Sequence, residues 1–404
     1  MIIMQDKGCD RKRVKIGLIG AGQIGRFHLE RYEDIEAADV GAVVDVKEQK
    51  AQDVADKHRI EHVYSDYRKL LENEDIEAVD VCVHNNLHAP IVIDSLEAGK
   101  EVFTEKPLAG SYFDGLRMYE KAKEEGRTLS VQNLTLFSKE TRAAKRLIDD
   151  NKLGKVFYGK AANFGSVGFR RRSIPYVEGY GSPNFVKKKV SGGGAVYDLG
   201  TYSIGQILYL LGLPEVKSIS GKTFQNAEET FESEELPDIY KERLSVPPTG
   251  VFTKETEYDV EDVAFAFVRF NDDIVLTLGV SWNFYLDGEG SAVVGTRGGI
   301  RLEPFRYFTT ISDIEADVTL DLEEYEERRG LLEAREAGKE NSLASRPLRH
   351  WGKVILGEEE PLPTAEVALK TMLIMEGIYM SSELGKEVSA EEVVERSEST
   401  ALET

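Results

Sequence analysis

Val14-Lys15-Ile16-Gly17-Leu18-Ile19-Gly20-Ala21-Gly22-Gln23-Ile24-Gly25 is the stretch that decides the architecture of this chain. A short apolar run of strand type ends directly in a glycine-rich turn, and the residues after Gly25 read as a helix. Gly20 permits the tight turn, Gly22 lets the backbone approach a pyrophosphate, and Gly25 lets helix and strand pack closely. Gln23 and Ile24 complete the turn, where the helix start offers unpaired N–H groups and partial positive charge to phosphate. A second apolar run, Val40 to Val44, closes on Asp45. That acid stands about twenty residues past the last glycine, where it accepts from the adenosine ribose hydroxyls. A carboxylate there repels a 2′-phosphate, so NAD is the expected cofactor. Lys47 offers countercharge two residues later and keeps NADP open.

The alternation continues. Ala78 to Val83 reads as a third strand, followed by His84-Asn85-Asn86 and a helix that Asn86 can cap and Gly99 ends. The short strand Glu101 to Thr104 leads into Glu105-Lys106-Pro107. Strand–helix repeats with short loops imply a parallel sheet covered on both faces, with ligands beyond the carboxyl ends of the strands. Asn86, His88 and Lys106 all follow such ends. His88 reads equally as a cleft residue and as a surface one.

After about residue 138 the pattern changes. Thr141 to Asp150 reads as a helix and Val156 to Ala162 as a strand. From Val263 onward, short alternating runs separated by tight turns predict an antiparallel meander, with one face on helices and the other free for a subunit interface. Residues 222 to 258 are Glu-, Thr- and Pro-rich and read as a surface excursion. Thr364 to Glu383 reads as a long helix. Between these lies Gly192-Gly193-Gly194, then a helix from about Val196 to Leu211 whose buried stripe is Ile204, Ile207, Leu208 and Leu211. Asp198 and Tyr202 share a stripe on nearly the opposite side. A bare Asp/Tyr pair ordinarily belongs to a solvated face. The glycine run argues otherwise, because it admits a close approach at the helix start.

At 404 residues two domains are expected, 12–137 and 138–404. A net charge of −21 disfavours nucleic acid, and Arg170-Arg171-Arg172 is too short a basic run to reverse that. Cys9 and Cys82 give no disulfide framework, and no apolar run approaches a membrane-spanning length, so a cytoplasmic protein is expected. No metal is expected.

Taken together, the Gly20-x-Gly22-x-x-Gly25 opening, the stretch 85–88, Glu105-Lys106-Pro107 and the Gly-Gly-Gly-x-x-x-Asp-x-Gly-x-Tyr segment resemble the glucose–fructose oxidoreductase, inositol dehydrogenase and MocA family. The resemblance covers nearly the whole chain. It implies an N-terminal Rossmann domain, a C-terminal α+β domain on a large open, mostly antiparallel sheet, and a homodimer or homotetramer. It also implies hydride transfer between NAD and a secondary hydroxyl or keto group of a sugar, cyclic polyol or nucleotide sugar. By the same resemblance Glu105 and Lys106 lie at the cofactor, Lys106 lies near the reacting carbon and Asp198 is its partner carboxylate. Tyr202 stands where many members carry His. The proton acceptor is then Tyr202, lowered by Lys106, or Lys106 itself, and either must fall from an ordinary value near 10 to work near neutrality. Where the family often has Arg-Phe, this chain has Leu136-Phe137. Arg171 and Tyr180 belong to a segment, Phe169 to Lys189, that reads as a substrate lid or as a surface loop. Two other activities remain open: glycoside cleavage through transient oxidation by NAD, and dinucleotide sensing without turnover.

Overall fold

The computed structural model describes residues 12–164, 186–226, 258–282, 284, 289–324 and 343–404. Its first sheet contains β1 (Val14–Ile19), β2 (Ala38–Val44), β3 (His62–Tyr64), β4 (Ala78–Val81), β5 (Glu101–Thr104) and β6 (Leu129–Val131). The order is β3-β2-β1-β4-β5-β6 and every pair is parallel. Val14, Ile16 and Leu18 point to one face of β1 and are wholly buried, packing with Tyr32, Leu29 and Val54. Gly17 faces the other side, where an added Cβ would come within 2.6 Å of Leu70. A strand buried on both faces needs this near-continuous apolar run. The chain winds outward from β1 to β3, then restarts at β4 on the other side of β1. That reversal opens a crevice beyond the carboxyl ends of β1 and β4.

The second sheet contains β7 (Val156–Asn163), β8 (Val216–Phe224), β9 (Val263–Phe270), β10 (Val275–Ser281), β11 (Ala292–Gly295), β12 (Gly298–Arg301), β13 (Arg306–Ile311), β14 (Ile314–Val318) and β15 (Val388–Ser389). Its order is β14-β13-β12-β11-β7-β10-β9-β8-β15. The expected meander is interrupted. β7 lies between the hairpins β9–β10 and β11–β12, parallel to β10 and antiparallel to β11. Each hairpin carries an open edge, and the long early strand satisfies both edges at once. The helices Thr201–Leu211 and Thr364–Leu384 cover one face with Ile204, Ile207, Leu208, Met372, Met375 and Ile378, all fully buried. Gly159 of β7 allows the approach, since a Cβ there would lie 2.5 Å from Ile207. The other face exposes Phe157, Phe224 and Phe265. The expected excursion 222–258 falls mostly outside the described residues, as do Arg171 and Tyr180. Among the described residues no helix is long and apolar enough to cross a membrane.

Candidate active site

The crevice begins at the fingerprint. Gly20 has φ +104°, a region side chains disfavour, and a Cβ there would lie 2.3 Å from the Cys82 carbonyl oxygen of the neighbouring strand end. Gly25 packs on Gly20, where a Cβ would meet the carbonyl oxygen at 1.9 Å. Gly22 differs. It has only the Lys50 ammonium near its missing Cβ, at 3.9 Å, and no side chain caps the helix Gln23–Tyr32 that follows. Its first-turn N–H groups therefore await an external acceptor. Beside them lies a cavity of about 420 Å³ lined by Gly22, Gln23, Arg26, Phe27, Glu30 and Lys50. Ile24 stands exposed at the helix start. Two tight glycines, one open glycine and an uncapped helix fit a pyrophosphate.

Asp45 directly follows β2, the position where the dinucleotide fold places a ribose-binding acid. Its carboxylate accepts from the Ala21 N–H at 3.1 Å, the Lys47 N–H at 3.0 Å and the Lys50 ammonium at 3.1 Å. Lys47 thus contributes its backbone to Asp45, and the cation paired with this acid is Lys50. Residue spacing alone did not single out Lys50. One turn into the next helix, it is where a side chain can reach back to the strand end.

Lys106 follows β5 and extends toward the second domain's helix. Its ammonium lies 2.9 Å from Asp198 Oδ1, 3.2 Å from the Asp198 carbonyl oxygen and 4.6 Å above the centre of the Tyr202 ring. Asp198 Oδ2 accepts from the indole Nε1 of buried Trp282 at 2.9 Å. The expected single helix is in two parts. Val196–Gly200 winds as a π-type turn and Thr201–Leu211 as α-helix, ended by Gly212 in the left-handed region. Such widened turns recur at functional sites. The approach that the glycine run permits is made by the protein itself. A Cβ on Gly194 would meet the Glu261 carbonyl oxygen at 1.9 Å, and the buried Glu261 carboxylate accepts from the Gly194 and Val196 N–H groups.

The electrostatics correct one expectation. Burial raises the Tyr202 phenol, and the opposing pull of Lys106 does not overcome it, so the net shift is upward. Burial also pulls the Lys106 ammonium down, but Asp198, Tyr202 and Glu105 outweigh it and hold the lysine above its ordinary range. Both groups are therefore protonated near neutrality, because the pocket removes water and supplies a carboxylate at hydrogen-bonding distance.

Asn86 and His88 follow β4 as expected, with their side chains already engaged. The Asn86 amide donates to the Lys189 carbonyl oxygen at 2.7 Å and its oxygen accepts from Thr400 at 3.2 Å. His88 is wholly buried, with Nδ1 3.0 Å from the Pro107 carbonyl oxygen and Nε2 3.2 Å from that of Val83, and burial lowers its pKa. It ties the helix to the loop carrying Lys106. Glu105 Oε2 accepts from the Lys106 N–H at 3.0 Å and Oε1 lies 3.0 Å from His28 Nε2. Leu136 and Phe137 are buried, so that position contributes packing.

Two models of one family cover most of the chain. Residues 14–133 match "Oxidoreductase family, NAD-binding Rossmann fold", and residues 141–301 match "GFO/IDH/MocA C-terminal domain". A D-glucoside 3-dehydrogenase of Escherichia coli (strain K12) is 26% identical over 300 residues, spanning 73% of this chain and 79% of that protein. A myo-inositol 2-dehydrogenase of Thermotoga maritima is 33% identical over 142 residues, 35% of this chain and 42% of that protein. A solved levoglucosan dehydrogenase, in complex with NADH and levoglucosan, superimposes with a TM-score of 0.71 at 20% identity, covering 94% of this chain and 100% of that one. That likeness speaks for the fold.

Proposed function

The chain belongs to the glucose–fructose oxidoreductase, inositol dehydrogenase and MocA family, with an NAD-binding Rossmann domain, and from this we propose an NAD-dependent dehydrogenase of a sugar or cyclic polyol. Residues 12–137 hold the cofactor and 138–404 the substrate. Gly20, Gly22, Gln23, Ile24 and Gly25 form the pyrophosphate turn, and Asp45 receives the ribose hydroxyls. Asn86, His88 and Glu105 brace the strand ends around the nicotinamide side of the crevice. NAD, when bound, supplies the hydride acceptor at nicotinamide C4, or the donor in the reverse direction.

The observation that carries the reading is the Lys106–Asp198 pair. It joins a strand end of the first sheet to a helix start of the second domain. A substrate hydroxyl placed there meets a donor, Lys106, an acceptor, Asp198, and a phenol, Tyr202. Tyr202 exchanges the proton with the substrate oxygen, the Lys106 ammonium stabilises the phenolate, and Asp198 orients the hydroxyl while keeping the lysine charged. Since both Lys106 and Tyr202 rest protonated, ketone reduction starts with its proton donor ready. Alcohol oxidation must first remove a proton, which the positive charge of the oxidised nicotinamide favours.

The test is to saturate the protein with NAD, add sugars, cyclic polyols and glycosides, and follow the reduced-nicotinamide absorbance. Sustained growth with a sugar or polyol is the expected outcome. A flat trace with release of an aglycone reassigns the protein to glycoside cleavage through transient oxidation. A flat trace with no product, despite bound NAD, reassigns it to dinucleotide sensing.

A further inference from the structure

Behind Lys106 a chain of buried polar groups runs into the Rossmann domain, and the proton-transfer reading leaves it unused. His28, on the fingerprint helix, has Nδ1 2.8 Å from Asp80 Oδ2 and Nε2 3.0 Å from Glu105 Oε1. Asp80 Oδ2 also accepts from the Tyr32 hydroxyl at 2.9 Å. His28 is 1% exposed and Asp80 wholly buried. The other oxygen of Glu105 receives the backbone N–H of Lys106.

A neutral imidazole has one N–H and one lone pair. With a carboxylate oxygen opposite each ring nitrogen, the neutral ring would turn a lone pair on an anion away from water, which is costly. The imidazolium donates to both and offsets two buried negative charges. Burial alone would lower His28, yet Cys82 and Asp80 outweigh it and the net shift is well upward. The Cys82 sulfur lies 3.3 Å from His28 Nδ1, and burial keeps that thiol protonated. Burial would likewise raise Glu105, and His28 with Lys106 brings it below its usual value instead. The titratable or charged groups facing the ring are Asp80 of β4, Cys82 just after it and Glu105 just after β5, among the described residues.

We propose that His28 is a positioning residue for Lys106: an imidazolium clamped between Asp80 and Glu105, whose hold on Glu105 fixes the Lys106 backbone and so the reach of its ammonium to Asp198. Only the consequence for turnover rests on the dehydrogenase reading. Without the clamp, Glu105 is free to compete with Asp198 for the lysine's charge. A displacement of about 1 Å at such a group costs on the order of 10²-fold in rate.

Two measurements test this. In the intact protein with ¹⁵N-labelled histidine, both His28 nitrogens are expected to remain protonated from about pH 6 to about pH 8, beyond the ordinary histidine range. A singly protonated ring at neutral pH overturns the proposal. In His28→Gln, kcat is expected to fall about 10- to 100-fold, with NAD affinity and sugar KM changed less than about threefold. The acid limb of its pH profile should move to higher pH as Glu105 loses its partner. Unchanged kcat, or loss of NAD binding in parallel with loss of folded protein, overturns it. The Lys106 ¹⁵Nζ resonance serves if no sugar is turned over. A shift in His28→Gln supports the clamp, and no shift refutes it, so the failure of the dehydrogenase reading stays distinguishable.

Discussion

Two carboxylates, one in each domain, are held in the same way by different parts of the chain. Asp45 is bracketed by Lys50 and two backbone N–H groups, all within 24 residues of it. Asp198 is bracketed by Lys106, 92 residues away, and Trp282, 84 residues away. The cofactor edge is therefore built by one supersecondary unit. The proposed reaction centre exists only once two sheets have formed and docked. The lysines also differ in exposure, 36% for Lys50 against 15% for Lys106, while both carboxylates are largely buried. Water screens the first pair and leaves the second strongly coupled.

The largest effect is expected from Lys106→Met. Activity (kcat/KM) should fall about 10²- to 10⁴-fold, the range for a lost proton-transfer group, while the NAD dissociation constant by calorimetry changes little. A comparable loss of NAD affinity would make Lys106 part of the cofactor edge instead. Next in size is Trp282→Phe, which keeps the ring and removes the indole N–H from Asp198. It should cost about 1–2 kcal/mol of transition-state stabilisation, roughly tenfold in kcat/KM, with thermal stability retained. An unaffected rate would show that Lys106 alone orients the carboxylate.

The raised values at Tyr202 and Lys106 set a direction for pH. Each holds its proton above its ordinary range, so the deprotonated acceptor that oxidation requires becomes more abundant as pH rises. At saturating NAD, kcat/KM for sugar oxidation should climb up to about pH 9, while reduction of the matching ketone stays level over the same interval. A maximum near neutrality in the oxidation profile would place the proton acceptor on another group. The smallest effect belongs to the exposed pair. Lys50→Ala should raise the ratio of NADP to NAD dissociation constants about threefold, as expected for one screened charge. That follows because Lys50 is the cation at Asp45 that a 2′-phosphate would meet. An unchanged ratio would leave Lys47 as the relevant charge.

Much of the first domain was legible in sequence. The six residues Val14–Ile19 form a strand at those bounds, and Asp45 directly follows the next one. Gly20 and Gly25 are tight against backbone while Gly22 is open. The buried stripe of Ile204, Ile207, Leu208 and Leu211 was legible too, because a helix repeats its buried face locally. His28 and Asp80 were missed, although an acid inside the apolar run Ala78–Val83 is a signal that a buried partner must exist. Trp282 carried no signal beyond its strand alternation. The place of β7 was also missed, since adjacency in a sheet is a choice among edges that strand patterns do not rank.

Sequence by itself determined what short-range geometry dictates: the glycine turn after the first strand, an acid directly after the second, the order of strands and helices in the first domain, and the residues to which proton transfer is assigned by proposal. Tertiary structure decided which of those residues meet. It set Lys106 against Asp198, put Trp282 behind that carboxylate, spent Asn86 and His88 on internal bonds, and raised Tyr202 where a lowered phenol was expected. The physical reason is that periodicity and turn chemistry act over a few residues, whereas charge coupling and desolvation depend on which surfaces the folded chain removes from water.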